Sequence, residues 1–266
     1  MTIKDAIEIS RKNGLPDLEA HIIIQFLTGK TKEFIIAHPD FEIDAEKFIE
    51  IVEKRKVGYP IQYIVKGKEF YKSWFYVEEG VLIPRQETEL LVEISIKYIK
   101  KYNLEKIAEI GVGSGAIIIS ILLEVQAIGY GTDILDKALE ITKINAKRLN
   151  VEDRLYLKKG PFLEPFKGIY KDIELIVSNP PYVKNSAILP PEVKWEPKEA
   201  LYGGEDGLEF YRKFLNNYDL SGKIVVLEIG HDQGDFFRKL GWEVIKDYSG
   251  NDRIVVFNGR RWKEWK

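Results

Sequence analysis

From residue 107 onward the chain alternates between short apolar runs and segments with helical periodicity. Seven apolar or β-branched runs have the length of strands: Ile107–Ile110, Ala127–Thr132, Leu155–Lys158, Ile173–Ser178, Lys223–Ile229, Trp242–Asp247 and Arg253–Phe257. Helical patterns fill most of the gaps between them, notably Ala116–Glu124, Lys137–Leu149 and Leu208–Asn217. Strands that alternate with helices predict a mainly parallel sheet with helices on both faces.

The last two apolar runs are joined by only a few residues around Gly250 and Asn251. A parallel connection needs a crossover of about a dozen residues or more, so these two strands must pair antiparallel or lie apart. Seven strands with one reversed near the end resemble the class I S-adenosylmethionine methyltransferase fold. We therefore predict an α/β architecture with a seven-stranded, mainly parallel, doubly wound sheet.

The chain before this region has a different pattern. Its apolar residues recur at helical spacing, and Gly14, Gly29 and Pro39 interrupt them as turn or stop signals. Aromatic and β-branched residues are then concentrated between Gly67 and Leu82, which is typical of a hairpin. We predict three parts: a helical bundle over 1–66, a β-hairpin linker over 67–83 and the α/β domain over 84–266.

Composition excludes several kinds of site. The chain has no cysteine, which excludes disulfides, thiolate metal sites and cysteine nucleophiles. Its three histidines are widely separated, so we expect no metal site, and we expect each histidine to have a structural role. The formal net charge of −2 disfavours stable binding of long nucleic acid. No apolar run approaches the roughly 18 residues of a membrane span, and the N-terminus lacks a signal-peptide core. We expect a cytoplasmic protein without membrane contact.

A glycine-rich loop follows the first predicted strand. It reads Gly111, Val112, Gly113, Ser114 and Gly115, and its glycines allow a sharp turn and a ligand close to bare backbone. About 20 residues further on, Asp133 ends the second strand, where an acid can accept hydrogen bonds from ribose hydroxyls. A tight turn without ligand and a helix N-cap are the alternatives for the loop and the acid. Together the two features favour a nucleoside ligand, and the absence of a phosphate loop disfavours a nucleoside triphosphate.

The fourth predicted strand ends in Asn179, Pro180, Pro181 and Tyr182. Ligands of open α/β sheets bind beyond the carboxyl ends of the strands, near the point where strand order reverses. An amide nitrogen is a poor nucleophile because its lone pair is delocalised into the carbonyl. To accept a methyl group, that lone pair must point at the sulfonium carbon, opposite the leaving sulfur.

Two hydrogen-bond acceptors can impose that orientation by holding both N–H bonds of the substrate. The Asn179 side-chain oxygen and the Pro180 backbone carbonyl are the candidates, and successive prolines stiffen the chain that carries them. Tyr182 offers an aromatic face for a flat amide or base. These residues predict N-methylation driven by orientation and proximity. The alternative is a rigid turn after a buried strand.

These motifs resemble the release factor glutamine methyltransferases, the HemK/PrmC family, over nearly the whole chain. Besides residues 179–182, the resemblance lies in Val81-Leu82-Ile83-Pro84-Arg85, Glu87-Thr88-Glu89, Trp195-Glu196-Pro197, Ala200-Leu201, Gly203-Gly204, Asp206-Gly207-Leu208, Leu227-Glu228-Ile229-Gly230 and Asp252-Arg253. The segments 84–89 and 196–208 are more specific than 179–182, which nucleic-acid adenine methyltransferases share.

The resemblance implies a substrate, a cofactor and a docking role. The substrate is the glutamine of the Gly-Gly-Gln loop of peptide chain release factors, and the helical domain helps to dock that protein. The cofactor is S-adenosylmethionine, which becomes S-adenosylhomocysteine, with contacts at Gly111–Gly115, Asp133, Phe162 and Asn179. The chain departs from the family at Gln86 and Pro161, where a proline and an acid are usual.

Two other functions compete with protein methylation. Methylation of adenine in DNA or RNA can use the same tetrapeptide, but it requires a flipped base and a basic recognition surface. A non-catalytic S-adenosylmethionine-binding protein has no need for two convergent acceptors. The charges at Arg85, Glu87 and Glu89 are either a solvated cluster or part of the family site. Trp195 and Pro197 either pack a loop or lie near the substrate, and we expect the basic tail 260–266 to be frayed.

Overall fold

The computed structural model describes residues 1–260, so most of the tail lies outside the described residues. Contacts divide the chain into two units. The first consists of Met1–Gly67 and Leu189–Trp195, and the second of Lys68–Ile188 and the residues from 196 onward. Within the described residues, no helix is both long and apolar enough to cross a bilayer.

The first unit contains five short helices, as its helical periodicity predicts. They are α1 (Ile3–Lys12), α2 (Asp17–Thr28), α3 (Lys32–Ala37), α4 (Ala45–Lys56) and α5 (Ile61–Ile64). Thr2 and Asp5 form a capping box that satisfies free N–H groups at the start of α1. Gly29 ends α2 in the left-handed conformation. Ile23, Ile24 and other fully buried apolar side chains form the core of this unit.

Segment 189–195 belongs to the helical unit although the sequence pattern places it within the α/β domain. The buried side chain of Arg55 donates a hydrogen bond to the carboxylate of Glu192 at 2.5 Å. Trp195 packs edge-on against Tyr59, with ring centroids 5.1 Å apart. These contacts join the segment to the helices across more than a hundred residues of chain, a pairing that periodicity does not reveal.

The second unit begins with a hairpin of β1 (Lys68–Phe70) and β2 (Ser73–Phe75). The strands of its large sheet are β3 (Lys106–Ile110), β4 (Ile128–Asp133), β5 (Leu155–Lys159), β6 (Leu175–Ser178), β7 (Ile224–Glu228), β8 (Glu243–Lys246) and β9 (Asp252–Asn258). Its helices are α6 (Glu89–Tyr102), α7 (Ala116–Glu124), α8 (Asp136–Arg148), α9 (Glu209–Asn217) and α10 (Gly234–Lys239).

The sheet has the spatial order β5-β4-β3-β6-β7-β9-β8. Within the described residues, β9 alone runs antiparallel, pairing with β7 on one side and β8 on the other. Successive side chains of a strand point to opposite faces, so Ile107 and Ala108 join the two separate apolar cores that the helices cover. The predicted seven-stranded, doubly wound class I fold is confirmed.

Strand order reverses at β3, which has β4 on one side and β6 on the other. The chain therefore leaves β3 and β6 in opposite lateral directions, which opens a crevice beyond their carboxyl ends. The glycine-rich loop, Asp133 and Asn179 each directly follow or end one of these three strands. The topology thus positions all three predicted features at one edge.

Candidate active site

A cavity of about 350 Å³ lies at that edge of the sheet, within the α/β unit. This volume lies within the range of small-molecule sites. The loop after β3, the end of β4, the tetrapeptide after β6 and the segment around residue 85 all contribute to its wall. From the predicted site, it brings together Gly111, Val112, Gly113, Ser114, Asp133, Phe162, Asn179, Pro180 and Pro181.

The glycine-rich loop presents bare backbone to this cavity. Gly111 and Gly113 have positive φ angles of 75° and 54°, and an added Cβ would meet nothing within 4 Å at either position. Side chains there would occupy open space that a ligand can use. Gly115 differs, because it does not line the cavity and its Cβ would come within 2.8 Å of Ile119 and Thr142. The lack of a side chain at Gly115 thus allows close contact between α7 and α8.

Asp133 joins the loop to the end of β4. One carboxylate oxygen accepts from the Gly113 N–H at 3.0 Å and the other from the Leu135 N–H at 2.9 Å. Burial raises the pKa of this carboxyl, and the two backbone hydrogen bonds oppose that rise. Helix α8 begins at Asp136 with Leu135 as its N-cap, so the alternative N-cap role of Asp133 is not what the structure has.

Phe162 and Pro161 form another wall of the cavity. Phe162 has a φ of 47° and stacks on Phe210, with centroids 5.1 Å apart. Its carbonyl accepts a short hydrogen bond from the Thr132 hydroxyl. The loop is therefore held in an unusual conformation by its neighbours, and an aromatic ring is fixed at the cavity wall.

Asn179 is oriented by a residue far away in sequence. Its Nδ2 donates to the Thr88 hydroxyl oxygen at 3.1 Å, and both side chains line the cavity. This contact uses the amide nitrogen and leaves Oδ1 without a donor among residues 1–260. The Pro180 carbonyl likewise accepts no hydrogen bond from the described residues. Two adjacent residues that line the cavity thus each have an oxygen acceptor without a donor among the described residues.

Tyr182 does not line the cavity, in contrast to the predicted aromatic platform. Its ring packs against the core on one face of the sheet, and its hydroxyl donates to Glu228 at 3.1 Å. Tyr202, which pairs with Val183 in an isolated β-bridge, is a tyrosine that does line the cavity. Tyr182 therefore supports the tetrapeptide from behind, because its polar end is satisfied in the protein interior.

Two glycines allow a second backbone segment to pack closely against residues 179–182. An added Cβ at Gly203 would lie 2.5 Å from the Pro181 carbonyl oxygen. One at Gly207, whose φ is +78°, would collide with the Tyr182 carbonyl oxygen and lie 2.6 Å from Gln233 Nε2. Gln233 donates to the carbonyls of both Tyr182 and Gly207. Backbone thus packs directly on backbone behind the two acceptors.

The motif around Arg85 is a structured contact rather than a solvated cluster. Arg85 Nη2 donates to Glu196 at 2.5 Å, and the same buried carboxylate accepts from the Ile83 N–H at 3.2 Å. Gln86 is exposed at the start of a 3₁₀ turn, Gln86–Thr88. Pro197 lines the cavity. These contacts connect segments that are more than a hundred residues apart.

Glu109 is a cavity residue to which the sequence reading assigns no role. Its Oε2 accepts from the Ile118 N–H at 3.0 Å, whereas its buried Oε1 has no partner among the described residues. Burial raises the pKa of this carboxyl well above its usual range. An acid within the otherwise apolar run 107–110 was the available signal. A buried oxygen in need of a donor fits a ligand with a positively charged or N–H group.

The arrangement suits a nucleoside ligand and a planar NH₂ group. Bare glycines, a carboxylate and a fixed aromatic ring are the features that a nucleoside needs from a class I fold. The two free acceptors can hold an NH₂ group beside it. No cluster of three or more histidine, aspartate or glutamate side chains that could hold a metal occurs in the described part of the chain.

Comparisons with known proteins found relatives that match most of the chain. A family model for the PrmC N-terminal domain matches residues 3–65. The release factor glutamine methyltransferase of Dictyoglomus turgidum is 40% identical over 253 residues, 90% of this chain and 89% of its own length. The protein of that name from Aquifex aeolicus is 37% identical, with 92% and 91% covered. That from Bacillus subtilis is 35% identical, with 91% of each chain covered.

Solved structures support the fold independently of sequence. The hMettl16 catalytic domain in complex with MAT2A 3'UTR hairpin 6 matches with a TM-score of 0.54. The match covers 70% of this chain and 75% of that one at 14% identity. At so low an identity the likeness supports the fold alone.

Proposed function

The chain belongs to the release factor glutamine methyltransferase family, and from that premise we propose that it methylates the glutamine side-chain amide of a peptide chain release factor. We propose the glutamine of the Gly-Gly-Gln loop as the acceptor. Relatives with this name match about nine-tenths of the chain and about nine-tenths of their own length. A match of that extent covers the site residues as well as the fold.

The residues present fit S-adenosylmethionine. Gly111 and Gly113 offer bare backbone, and Val112 and Ser114 line the same cavity. Asp133 offers carboxylate lone pairs to ribose hydroxyls. Phe162 offers a ring face to the adenine. When bound, S-adenosylmethionine supplies a methyl group on a positively charged sulfur. We expect no metal to take part.

The observation that carries the proposal is the pair of free oxygens at Asn179 and Pro180. An amide NH₂ has two hydrogens in one plane, and two acceptors beside each other can bind both. Holding both hydrogens fixes the plane of the amide, and so directs the nitrogen lone pair, which is perpendicular to that plane, along one line. The prolines and the glycines behind the loop limit its motion, so this orientation is set before the substrate arrives.

Orientation can supply most of the rate acceleration. Holding two reactants in a reactive geometry is worth about 7–11 kcal/mol in favourable cases. The chain need not remove a proton before transfer, since the methylated amide loses its extra proton afterwards to solvent. Asn179 and Pro180 act as the catalytic residues in this scheme, with Pro181 and Tyr182 supporting them.

The two competing functions receive less support. Adenine methylation can use the same acceptors, but the chain has a net charge of −2. A non-catalytic binder does not account for the two free acceptors in the cavity. The docking of a release factor by the helical unit, the lack of stable nucleic-acid or membrane contact and the cytoplasmic location remain predictions.

The direct test is transfer of a labelled methyl group from S-adenosylmethionine to a purified release factor. We expect labelling of the wild-type factor, loss of labelling when its loop glutamine is replaced by alanine, and a mass increase on that glutamine alone. Oligonucleotides serve as the parallel substrate. Labelling of the oligonucleotide without labelling of the release factor would favour adenine methylation over glutamine methylation.

Asp133→Ala is expected to weaken S-adenosylmethionine binding by about 10- to 100-fold, since it removes a charged hydrogen-bond acceptor and the support of Gly113. The measurement is a calorimetric titration. Asp136→Ala is the matched control, because that carboxylate is exposed, pairs with Lys159 and does not line the cavity. Equal affinities for the two variants would reject the role of Asp133.

A further inference from the structure

Thr88 is the residue that holds the Asn179 amide. It ends the 3₁₀ turn Gln86–Thr88 and is only 3% exposed. Its oxygen accepts the Asn179 Nδ2–H at 3.1 Å. A hydroxyl has a single proton of its own, and that proton needs an acceptor elsewhere if the oxygen is to stay available to Asn179.

Glu228 is at the carboxyl end of β7, next to β6. Its side chain is buried, and its Oε1 accepts from the Tyr182 hydroxyl at 3.1 Å. Its Oε2 is buried and lacks a partner of good geometry among the described residues, although the Thr88 hydroxyl is near enough to lower the pKa of the carboxyl. Glu228 is thus an acceptor available to the Thr88 proton.

The surroundings of Glu228 bring it near neutrality. Burial raises its pKa to about 7, while Thr88, Arg253 and Tyr182 oppose the rise. The charged and titratable groups around it come from four elements. They are Tyr182 after β6, Arg253 on β9, Tyr211 on α9, whose hydroxyl donates to the Glu228 carbonyl, and Thr88 and Glu87 in the 3₁₀ turn.

We propose that Glu228 is a positioning residue that acts through Thr88 to keep the Asn179 side-chain oxygen directed at the substrate amide. This inference rests on the proposed function and adds that the protonation state of Glu228 controls the rate of methyl transfer. As a carboxylate, Glu228 accepts the Thr88 proton, so the Thr88 oxygen accepts from Asn179 Nδ2 and Oδ1 remains free for the substrate.

Protonation of Glu228 removes this constraint. A carboxylic acid has its own proton to donate, and Thr88 is a neighbouring acceptor. The Thr88 proton is then free to turn toward Asn179, which favours the rotated amide with Oδ1 on Thr88 and Nδ2 toward the substrate. The Asn179 Nδ2–H and an N–H of the substrate amide then face each other, so one of the two hydrogen bonds to the substrate is lost. Apart from the O–H bond that Glu228 forms with a proton from solvent, no covalent bond changes.

The first test is the pH dependence of the single-turnover rate with saturating S-adenosylmethionine and release factor. We expect a limb with a midpoint near pH 7, below which the rate falls with decreasing pH and levels off about 10- to 100-fold lower, at the rate of the protonated form. The glutamine substrate does not titrate there, so the limb belongs to the enzyme. A carbon-13 NMR titration of the Glu228 carboxyl, assigned with Glu228→Gln, should have the same midpoint.

Variants separate positioning from a structural role. Glu228→Gln mimics the neutral acid, and we expect a rate about 10- to 100-fold lower and independent of pH across that limb. Thr88→Val, of equal volume, should lose a similar factor, whereas Thr88→Ser keeps the hydroxyl and should restore the rate. Affinity for S-adenosylmethionine should be unchanged in all three, because the network contacts the amide site.

The thermal stability of Glu228→Gln should change in the opposite direction to its rate. A carboxyl whose pKa is raised in the folded state stabilises that state when protonated, and this stability is lost as pH rises through about 7. Glu228→Gln should therefore melt higher than wild type at pH 8 and show less advantage at pH 5. A variant that is more stable yet slower identifies a functional carboxylate, whereas one that is unstable and slow indicates a structural one.

The outcomes distinguish this inference from the proposed function. If wild type does not label a release factor, the proposed function fails. If wild type labels it with a rate that is flat between pH 6 and 8, or if Glu228→Gln retains the full rate, the positioning role of Glu228 is wrong and the proposed function stands.

Discussion

Replacing Asn179 with alanine is expected to reduce the single-turnover rate of methyl transfer by about 100- to 1,000-fold, the range found for loss of one preorganised polar group. The variant removes the Oδ1 acceptor and leaves the Pro180 carbonyl as the single grip on the substrate amide. Affinity for S-adenosylmethionine should change little, because the glycine loop and Asp133 remain. Rapid-quench measurement of labelled release factor and a separate binding titration test the two parts.

Asn185→Ala is the matched control for this prediction. Asn185 is an exposed asparagine six residues further along the same segment, and its backbone N–H, which alanine keeps, makes the bond to Gly204. We expect its rate to equal that of wild type. An Asn179→Ala enzyme with wild-type turnover would contradict the assignment of Asn179 as an acceptor for the substrate.

Gly207→Ala is expected to lower the free energy of unfolding by about 2–4 kcal/mol, from a disfavoured positive φ and an overpacked contact together. Its new Cβ would collide with the Tyr182 carbonyl oxygen and approach Gln233. The chain can relieve that collision by moving the tetrapeptide, and a shift of about 1 Å costs on the order of 100-fold in rate. Chemical denaturation and turnover of the remaining folded enzyme measure both effects.

Gly222→Ala separates conformational strain from the close contact. Gly222 has nearly the same φ, +75°, but an added Cβ would meet nothing within 4 Å. Strain alone should cost about 1 kcal/mol there, with turnover unchanged. If Gly207→Ala and Gly222→Ala lose equal stability and both keep full turnover, then the contact between segment 203–207 and the tetrapeptide has no functional importance.

Much of the fold follows from local sequence patterns. The seven apolar runs became the seven strands, and the short link at Gly250–Asn251, which left an antiparallel pair or separate strands, joins the antiparallel pair of β8 and β9. Helix Ala116–Glu124 has the predicted bounds, because a glycine loop precedes it and its apolar face continues to Glu124. Such boundaries are set by residues near each other in the chain, which periodicity can detect.

Local sequence patterns predicted which residues belong to the motifs better than they predicted which of those residues line the cavity. Gly115 and Tyr182 stand in the expected motifs, yet neither lines the cavity. Gly115 is a glycine because Ile119 and Thr142 leave no room for a Cβ, and Tyr182 turns its hydroxyl to a buried carboxylate. A motif specifies which residues occur together, whereas the direction of each side chain depends on what packs against it.

The sequence alone determined the order of strands and helices, the glycine loop with its acid, and the tetrapeptide that ends β6, since each depends on neighbours in the chain. The tertiary structure decided how that tetrapeptide is used. Thr88 meets Asn179 across 91 residues, and Tyr182 meets Glu228 across 46. Sheet topology brings these side chains together, and their hydrogen bonds determine which atom of Asn179 is free, because a polar group orients itself by all of its partners.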